Sequence, residues 1–194
     1  MLPDYCKNDS VENYVFSHNV FSPEECQRII EQSKKLYLET AEIQQQKDSV
    51  YNQNIRDSKI CFIDYDNKEF DWLFDKITAY VIPINNKCFN FDIWGFQEGL
   101  QFTEYNAPSG HYSEHTDKLL KGLVRKLTIV IQLTDESEYE GGELQFFLGG
   151  EPTKASRKQG TVIAFPSYIL HSVTPTTKGT RHSLVGWITG APFR

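Results

Sequence analysis

Residues 105–117 read Tyr-Asn-Ala-Pro-Ser-Gly-His-Tyr-Ser-Glu-His-Thr-Asp, and the stretch closes on His115-x-Asp117. In extended backbone, side chains alternate faces with a period of two, so this imidazole and this carboxylate point the same way. Alone, the pair is weak, because His-x-Asp also arises on ordinary surface loops. A third ligand is available downstream at His171. Two histidines and one carboxylate form the facial donor set of non-haem Fe(II) sites, which leave coordination positions open.

The bulk composition narrows what can surround such a site. A chain of 194 residues, 39% hydrophobic, is long enough for one well-cored domain and short for two, so residues 1–194 are read as a single domain. The 13 Phe, 10 Tyr and 3 Trp exclude a disordered chain. A net charge of −6 argues against general nucleic-acid affinity. No apolar run is long enough to span a membrane, and the start, Met-Leu-Pro-Asp-Tyr-Cys-Lys, is too polar for a signal peptide. Cys6, Cys26, Cys61 and Cys88 lack C-x-x-C spacing, and Cys26 and Cys61 sit among apolar positions. They read as buried free thiols, which suits a cytoplasmic protein.

Working outward along the chain, Val15, Phe16, Val20 and Phe21 predict a first strand within 12–21. Ser22, Pro23 and Glu25 form a capping-box start, and Cys26, Ile29, Ile30, Ser33 and Leu36 follow at helical spacing, predicting a helix over 23–38. Residues 41–54 are polar and aperiodic, read either as a surface loop or as a flap over a site. A strand at 55–63 precedes a second helix, capped by Asp66 or Asn67, with Phe70, Leu73, Phe74, Ile77 and Val81 on one face and Pro83 as its end.

From 88 onward, short apolar segments alternate with turn residues such as Gly141-Gly142, Gly149-Gly150, Gly160 and Gly179. They predict strands at 89–96, 99–106, 111–115, 126–134, 143–149, 152–155, 160–165, 168–174 and 180–189. Helices first and strands afterward predict an α+β fold: a jelly-roll core over about 89–190, braced by a helical support over about 22–84. In 126–134, Leu127, Ile129, Ile131 and Leu133 share one face, and Thr128, Val130 and Gln132 the other. In 180–189, Arg181, Ser183, Val185, Trp187 and Thr189 share a face opposite His182. Arg and Trp together read as a ligand wall, the guanidinium offering a planar fork for a carboxylate. The tight connection Pro175–Gly179 predicts a hairpin that sets His171 and Arg181 on neighbouring strands. The basic run Lys118, Lys121, Arg125, Lys126 reads as a solvated loop, or as a surface that steers an acidic substrate. His111 has the wrong offset for the metal set.

The joint spacing carries more than any single motif. Tyr105-x6-Tyr112-x2-His115-x-Asp117, Gly141-Gly142-Glu143-Leu144 and His171-x9-Arg181-x5-Trp187, with Phe21–Cys26 opening the first helix, resemble the prolyl 4-hydroxylase-like branch of the 2-oxoglutarate- and Fe(II)-dependent dioxygenases. Asn54–Ile60 is similar to the segment after the substrate-covering loop in animal oxygen-sensing members. The resemblance spans roughly 12–190, and implies a double-stranded β-helix.

It further implies His115, Asp117 and His171 as iron ligands and Arg181 as the partner of the distal carboxylate of 2-oxoglutarate. Tyr105 would donate to the cosubstrate, Thr128 and Gln132 line its pocket, and Trp187 wall it. Near Gln132, some oxygen-sensing relatives carry Tyr. Tyr112, Arg56 and Tyr51 would face the substrate. The implied reaction consumes O2 and 2-oxoglutarate, releases succinate and CO2, and hydroxylates a prolyl residue of a peptide or protein, with L-ascorbate as a further requirement. A dioxygenase of a free amino acid or other small molecule, and a jelly-roll binding module with an inactive site, are the alternatives.

Overall fold

The computed structural model describes residues 11–193, except 37, 42, 46, 47, 51, 120 and 121, with backbone alone at 43–45 and 48–50. In chain order the elements are β1 (Val15–Ser17), α1 (Pro23–Ser33), β2 (Glu39–Thr40), β3 (Ile43–Gln45), β4 (Asp48–Val50), β5 (Arg56–Asp57) and β6 (Lys59–Ile63). Then come α2 (Asp71–Ile84), β7 (Ile93–Phe96), β8 (Leu100–Asn106), β9 (His111–His115) and β10 (Arg125–Gln132). The chain closes with β11 (Glu140–Gly141), β12 (Leu144–Phe146), β13 (Thr153–Lys154), β14 (Val162–Pro166), β15 (His171–Val173), β16 (Thr176–Lys178) and β17 (Thr180–Gly190).

Two antiparallel sheets face each other. The larger, of eight strands, runs β1-β14-β10-β17-β8-β6-β2, with β7 also on β17; the smaller runs β13-β12-β15-β9-β5. This is a double-stranded β-helix, as the strand-rich half of the sequence predicts. Side-chain alternation divides the interior in two. Leu127, Ile129 and Ile131 of β10 and Leu184 and Ile188 of β17 pack outward on Cys26, Ile29, Leu73, Ile77 and Val81 of the helices. On the opposite face, Val130 and Val185 join Tyr105, Leu144, Phe146, Ile163, Phe165 and Val173 between the sheets. The helices therefore brace one face of the large sheet, leaving its other face for the site.

α1 starts as expected: the Glu25 amide donates to Ser22 Oγ, and the Ser22 amide donates to the Glu25 carboxylate at 2.7 Å. It ends at Ser33, short of 38, where a tight turn carries the Leu36 amide to the Ser33 carbonyl. Asn67 caps a 3-10 turn over Lys68–Phe70 that leads into α2. Pro83 does not end α2, which runs on to Ile84 and then into a π-turn over Asn85–Phe89. A proline near the last turn removes one donor, and the wider turn absorbs the misfit. The Asn90 amide closes it on the Asn85 carbonyl at 2.6 Å, and the Asn85 amide group pairs with both backbone groups of Phe91. That turn delays the next strand to Ile93.

Two other expectations change. The polar stretch 41–54 contains a β-hairpin, β3 paired with β4. His171 and Arg181 are not on neighbouring strands: β15 pairs with β9 and β12, whereas β17 pairs with β8, β10 and β7. Both flanks of β17 are filled within its own sheet, so the chain crosses between sheets through β16, which pairs with β11. The crossing is tight, and a side chain at Gly141 (φ +72) would overlap the Pro175 carbonyl oxygen. Cys26 and Cys61 are buried and unpaired, and burial pushes both thiols up to about 11; Cys6 lies outside the described residues. Among the described residues no helix is long and apolar enough to cross a membrane.

Candidate metal centre and the pocket beneath it

His115, the last residue of β9, stands directly opposite His171, the first of β15. Asp117 lies two residues beyond and turns back toward both. The Nε2 atoms of His115 and His171 lie 3.7 and 3.6 Å from the two Asp117 carboxylate oxygens. One ligand atom from each of the three residues lies within 4.8 Å of the others. His115 Nδ1 is 2.8 Å from the Ser113 carbonyl oxygen, and His171 Nδ1 is 2.9 Å from that of Ile169. A carbonyl only accepts, so each Nδ1 carries the proton and each Nε2 presents a lone pair. Two lone pairs and a carboxylate thus converge beyond hydrogen-bonding distance of one another. Without a cation such an arrangement repels itself; with one it is a ligand set. The donor set fits Fe(II).

The electrostatics agree. Burial, with His171 beside it, lowers the His115 imidazole to about 4, favouring the neutral, ligating form. Burial alone would raise the Asp117 carboxyl. Positive charge at His171 and His115, the place a bound cation would take, together with the Thr128 hydroxyl outweighs burial and holds the group below the usual carboxylate range. Thr128 Oγ1 donates to Asp117 Oδ2 at 2.7 Å, so this expected pocket residue orients a ligand. Phe165 abuts His171 edge-on at 4.8 Å.

Deeper between the sheets lies Arg181, 1% exposed, opposite Tyr105 across β17 and β8. Its Nη2 donates to Gln132 Oε1 at 2.9 Å, and its Cζ sits 5.2 Å from the Tyr105 ring centre. Its Nε and Nη1 have no partner among the described residues. A buried cation with two unanswered donors calls for an anion. Trp187, opposite Thr128, forms the adjacent wall, and its indole N–H is likewise unanswered.

Sequence reasoning missed Arg125. It is not solvated: its guanidinium lies 3.7 Å over Trp187 and grips Glu98 through two bonds of 2.7 and 2.5 Å. Its Nη1 also reaches the Asp117 carbonyl oxygen at 3.4 Å. Simple alternation would put Arg125 with Leu127 on the helix side. A register shift between the two turns it inward, opposite Thr189. Lys126 is buried too, 3.8 Å over the Phe193 ring.

At the mouth, Tyr112 stacks on His115 with ring centres 3.5 Å apart, and Arg56 covers the other Tyr112 face at 4.5 Å. Strand pairing sets Arg56 opposite Tyr112. Tyr51 lies outside the described residues.

His182 faces away from this interior. Thr134 Oγ1 lies 2.9 Å from its Nδ1, Glu104 3.3 Å from its Nε2, and Phe102 stacks on it. Burial, with Lys34 and Arg181 nearby, lowers it to about 4 against the pull of Glu104. The depressed folded value means the unfolded chain binds the extra proton, so stability is full above 6.5 and falls as pH drops toward 4. Urea unfolding of metal-free protein should lose up to roughly 3 kcal/mol across that window from this residue. His182→Gln should flatten the difference; equal slopes for both proteins would refute it.

A jelly roll that brings two histidines and one carboxylate together beside a buried arginine is the arrangement expected of a mononuclear iron site with an anion pocket. Residues 100–189, a little under half of the chain, match the model of the 2OG-Fe(II) oxygenase superfamily. Among curated relatives, a PKHD-type hydroxylase of Picosynechococcus sp. is 41% identical over 92 residues, 46% of this chain and 41% of that one. One of Prochlorococcus marinus (strain MIT 9515) is 35% identical over 123 residues, 63% of this chain and 55% of that one. The chain thus spans about half or less of these relatives' length. In fold it is prolyl hydroxylase-like. A Pseudomonas putida prolyl-4-hydroxylase superposes with TM-score 0.74 at 19% identity, covering 93% of this chain and 94% of that one. A Trichoplax adhaerens prolyl hydroxylase, in complex with a hypoxia inducible factor oxygen degradation domain peptide fragment, superposes with TM-score 0.75 at 17% identity, covering 92% and 84%.

Proposed function

We propose that this chain is an Fe(II)- and 2-oxoglutarate-dependent dioxygenase that hydroxylates a prolyl residue in a peptide or protein. The observation that carries the reading is the converging donor set of His115, Asp117 and His171 sharing one interior with the partly unanswered guanidinium of Arg181. His115, Asp117 and His171 hold the iron. When bound, iron and 2-oxoglutarate supply the oxidation: O2 is consumed, CO2 and succinate leave, and a substrate C–H bond gains oxygen.

The protein's own part is placement and exclusion of water. Arg181 takes the distal carboxylate of 2-oxoglutarate, with Gln132 fixing its fork. Tyr105 donates to the same molecule, and Trp187, clamped by Arg125 and Glu98, walls it. Thr128 keeps the Asp117 carboxylate aimed at the metal. Tyr112 and Arg56, stacked beside His115, meet the substrate. A peptide substrate is supported by the peptide held in the Trichoplax structure of the same fold. A cytoplasmic site of action remains part of the reading.

The test supplies Fe(II), 2-oxoglutarate, O2 and ascorbate with proline-containing peptides or free proline. Succinate formation well above that of His115→Ala, with one oxygen mass gained by a peptide, is the expected result. A gain on free proline alone would make this a small-molecule enzyme. Equal succinate from both proteins would leave a binding module.

A further inference from the structure

Two side chains with no role so far sit beside Arg181. Tyr139 is 2% exposed and Thr176 is fully buried, and neither hydroxyl has a hydrogen-bond partner among the described residues. An unpaired buried hydroxyl is costly, and two beside an under-paired guanidinium point to a common acceptor. Their meeting point is the turn at Gly142 (φ +60). A Cβ there would lie 2.9 Å from Thr176 Oγ1, 3.0 Å from Arg181 Cδ and 3.4 Å from Tyr139 Cε2. A side chain there would crowd all three, and the positive φ favours glycine as well. The unpartnered Arg181 Nε is bonded directly to that Cδ.

Gln132 fixes the arginine beside them. Its carbonyl accepts from Arg181 Nη2, and its amide nitrogen donates to the Ser156 carbonyl at 3.0 Å. The partners fix this orientation, since a guanidinium only donates and a carbonyl only accepts. Gln132 therefore sets the arginine fork.

Both hydroxyl-bearing residues are held firmly. Thr176 pairs with Gly141 across β16 and β11, and its amide donates to the Gly110 carbonyl at 2.9 Å. Arg157 lies over the Tyr139 ring at 4.3 Å and donates to the Tyr139 carbonyl at 2.6 Å. A cation on the ring face draws electron density from the phenol and makes its O–H a better donor.

We propose that Tyr139 and Thr176 donate hydrogen bonds to the distal carboxylate of 2-oxoglutarate, completing the grip that Arg181 begins. Arg157 is a positioning residue for Tyr139. Selectivity for a dicarboxylate over a monocarboxylate 2-oxo acid is then set at the Gly142 turn. The assignment rests on the 2-oxoglutarate reading above.

The test is calorimetric binding to Mn(II)-loaded protein, with 2-oxoglutarate and with 2-oxobutyrate, which shares the 2-oxo acid head but lacks the distal carboxylate. Tyr139→Phe and Thr176→Val keep ring and volume. Each should weaken 2-oxoglutarate about ten-fold and leave 2-oxobutyrate unchanged. Thr176→Ser, which retains the hydroxyl, should restore most of the affinity. Wild type that binds 2-oxoglutarate tightly, with both variants unaffected or weakened equally toward both acids, overturns this assignment alone. Wild type that binds neither acid overturns the functional reading and this assignment with it.

Discussion

Asp117→Asn should abolish succinate formation and metal binding while leaving the metal-free fold at least as stable as wild type. Loss of an outer partner of a metal ligand already costs about 10- to 100-fold in affinity, so loss of the only anionic ligand should exceed about 100-fold. The stability half of the prediction separates a metal role from a packing role. In the metal-free protein the buried Asp117 carboxylate faces two imidazole lone pairs at 3.7 and 3.6 Å. Asparagine keeps an oxygen to accept from Thr128 and offers an amide nitrogen toward an imidazole. A buried charge is removed and a donor is gained. Metal titration by calorimetry and thermal unfolding of stripped protein measure the two halves. A variant that binds metal like wild type would show that the three side chains are not its ligands. One that unfolds well below wild type would show that Asp117 is there for structure.

Much of this arrangement could be read from residue order because period-two alternation is strict in a half-buried strand. Leu127, Ile129 and Ile131 went to the helix side, and Thr128 and Gln132 to the interior, as the alternation implied. The same parity brought Arg181 and Trp187 onto one wall. What alternation could not show is where it breaks. The register shift between Arg125 and Leu127 reverses the facing of Arg125, so a residue that looked solvated became the clamp on Trp187. Strand pairing across the turn at Pro175–Gly179 was equally hidden. Local turn chemistry suggests a hairpin, whereas the partners of β17 are chosen by distant strands. Tyr139 carried no signal at all, because it follows an acidic loop, Asp135–Glu138, with no periodic pattern to mark an inward side chain. Its burial comes from the β11–β16 crossing and from Arg157, both long-range.

Arg181→Met should eliminate 2-oxoglutarate binding yet raise the thermal stability of ligand-free protein. The ligand side follows from charge: on the proposed reading, the distal carboxylate would lose a full positive partner that is 1% exposed. Removing one partner of a buried ion pair leaves the other uncompensated, at about 3–5 kcal/mol, or a factor of about 150 to several thousand in affinity. The stability side follows from the same burial. In the absence of ligand, Arg181 keeps a charge inside the fold with Nε and Nη1 unanswered, and only Nη2 is paired. Methionine fills a similar volume without charge, at the cost of leaving Gln132 Oε1 without its donor. Removal of the charge should outweigh that lost bond, for a net gain of about 1 kcal/mol. Arg181→Lys is the sharper comparison. It retains charge but loses the fork, so it should keep a fraction of the affinity and none of the stability gain. If Met and Lys variants bind 2-oxoglutarate as wild type does, the guanidinium is not its anchor. If the Met variant is instead strongly destabilised, the arginine is held for the fold, and the unanswered nitrogens do not mark a ligand.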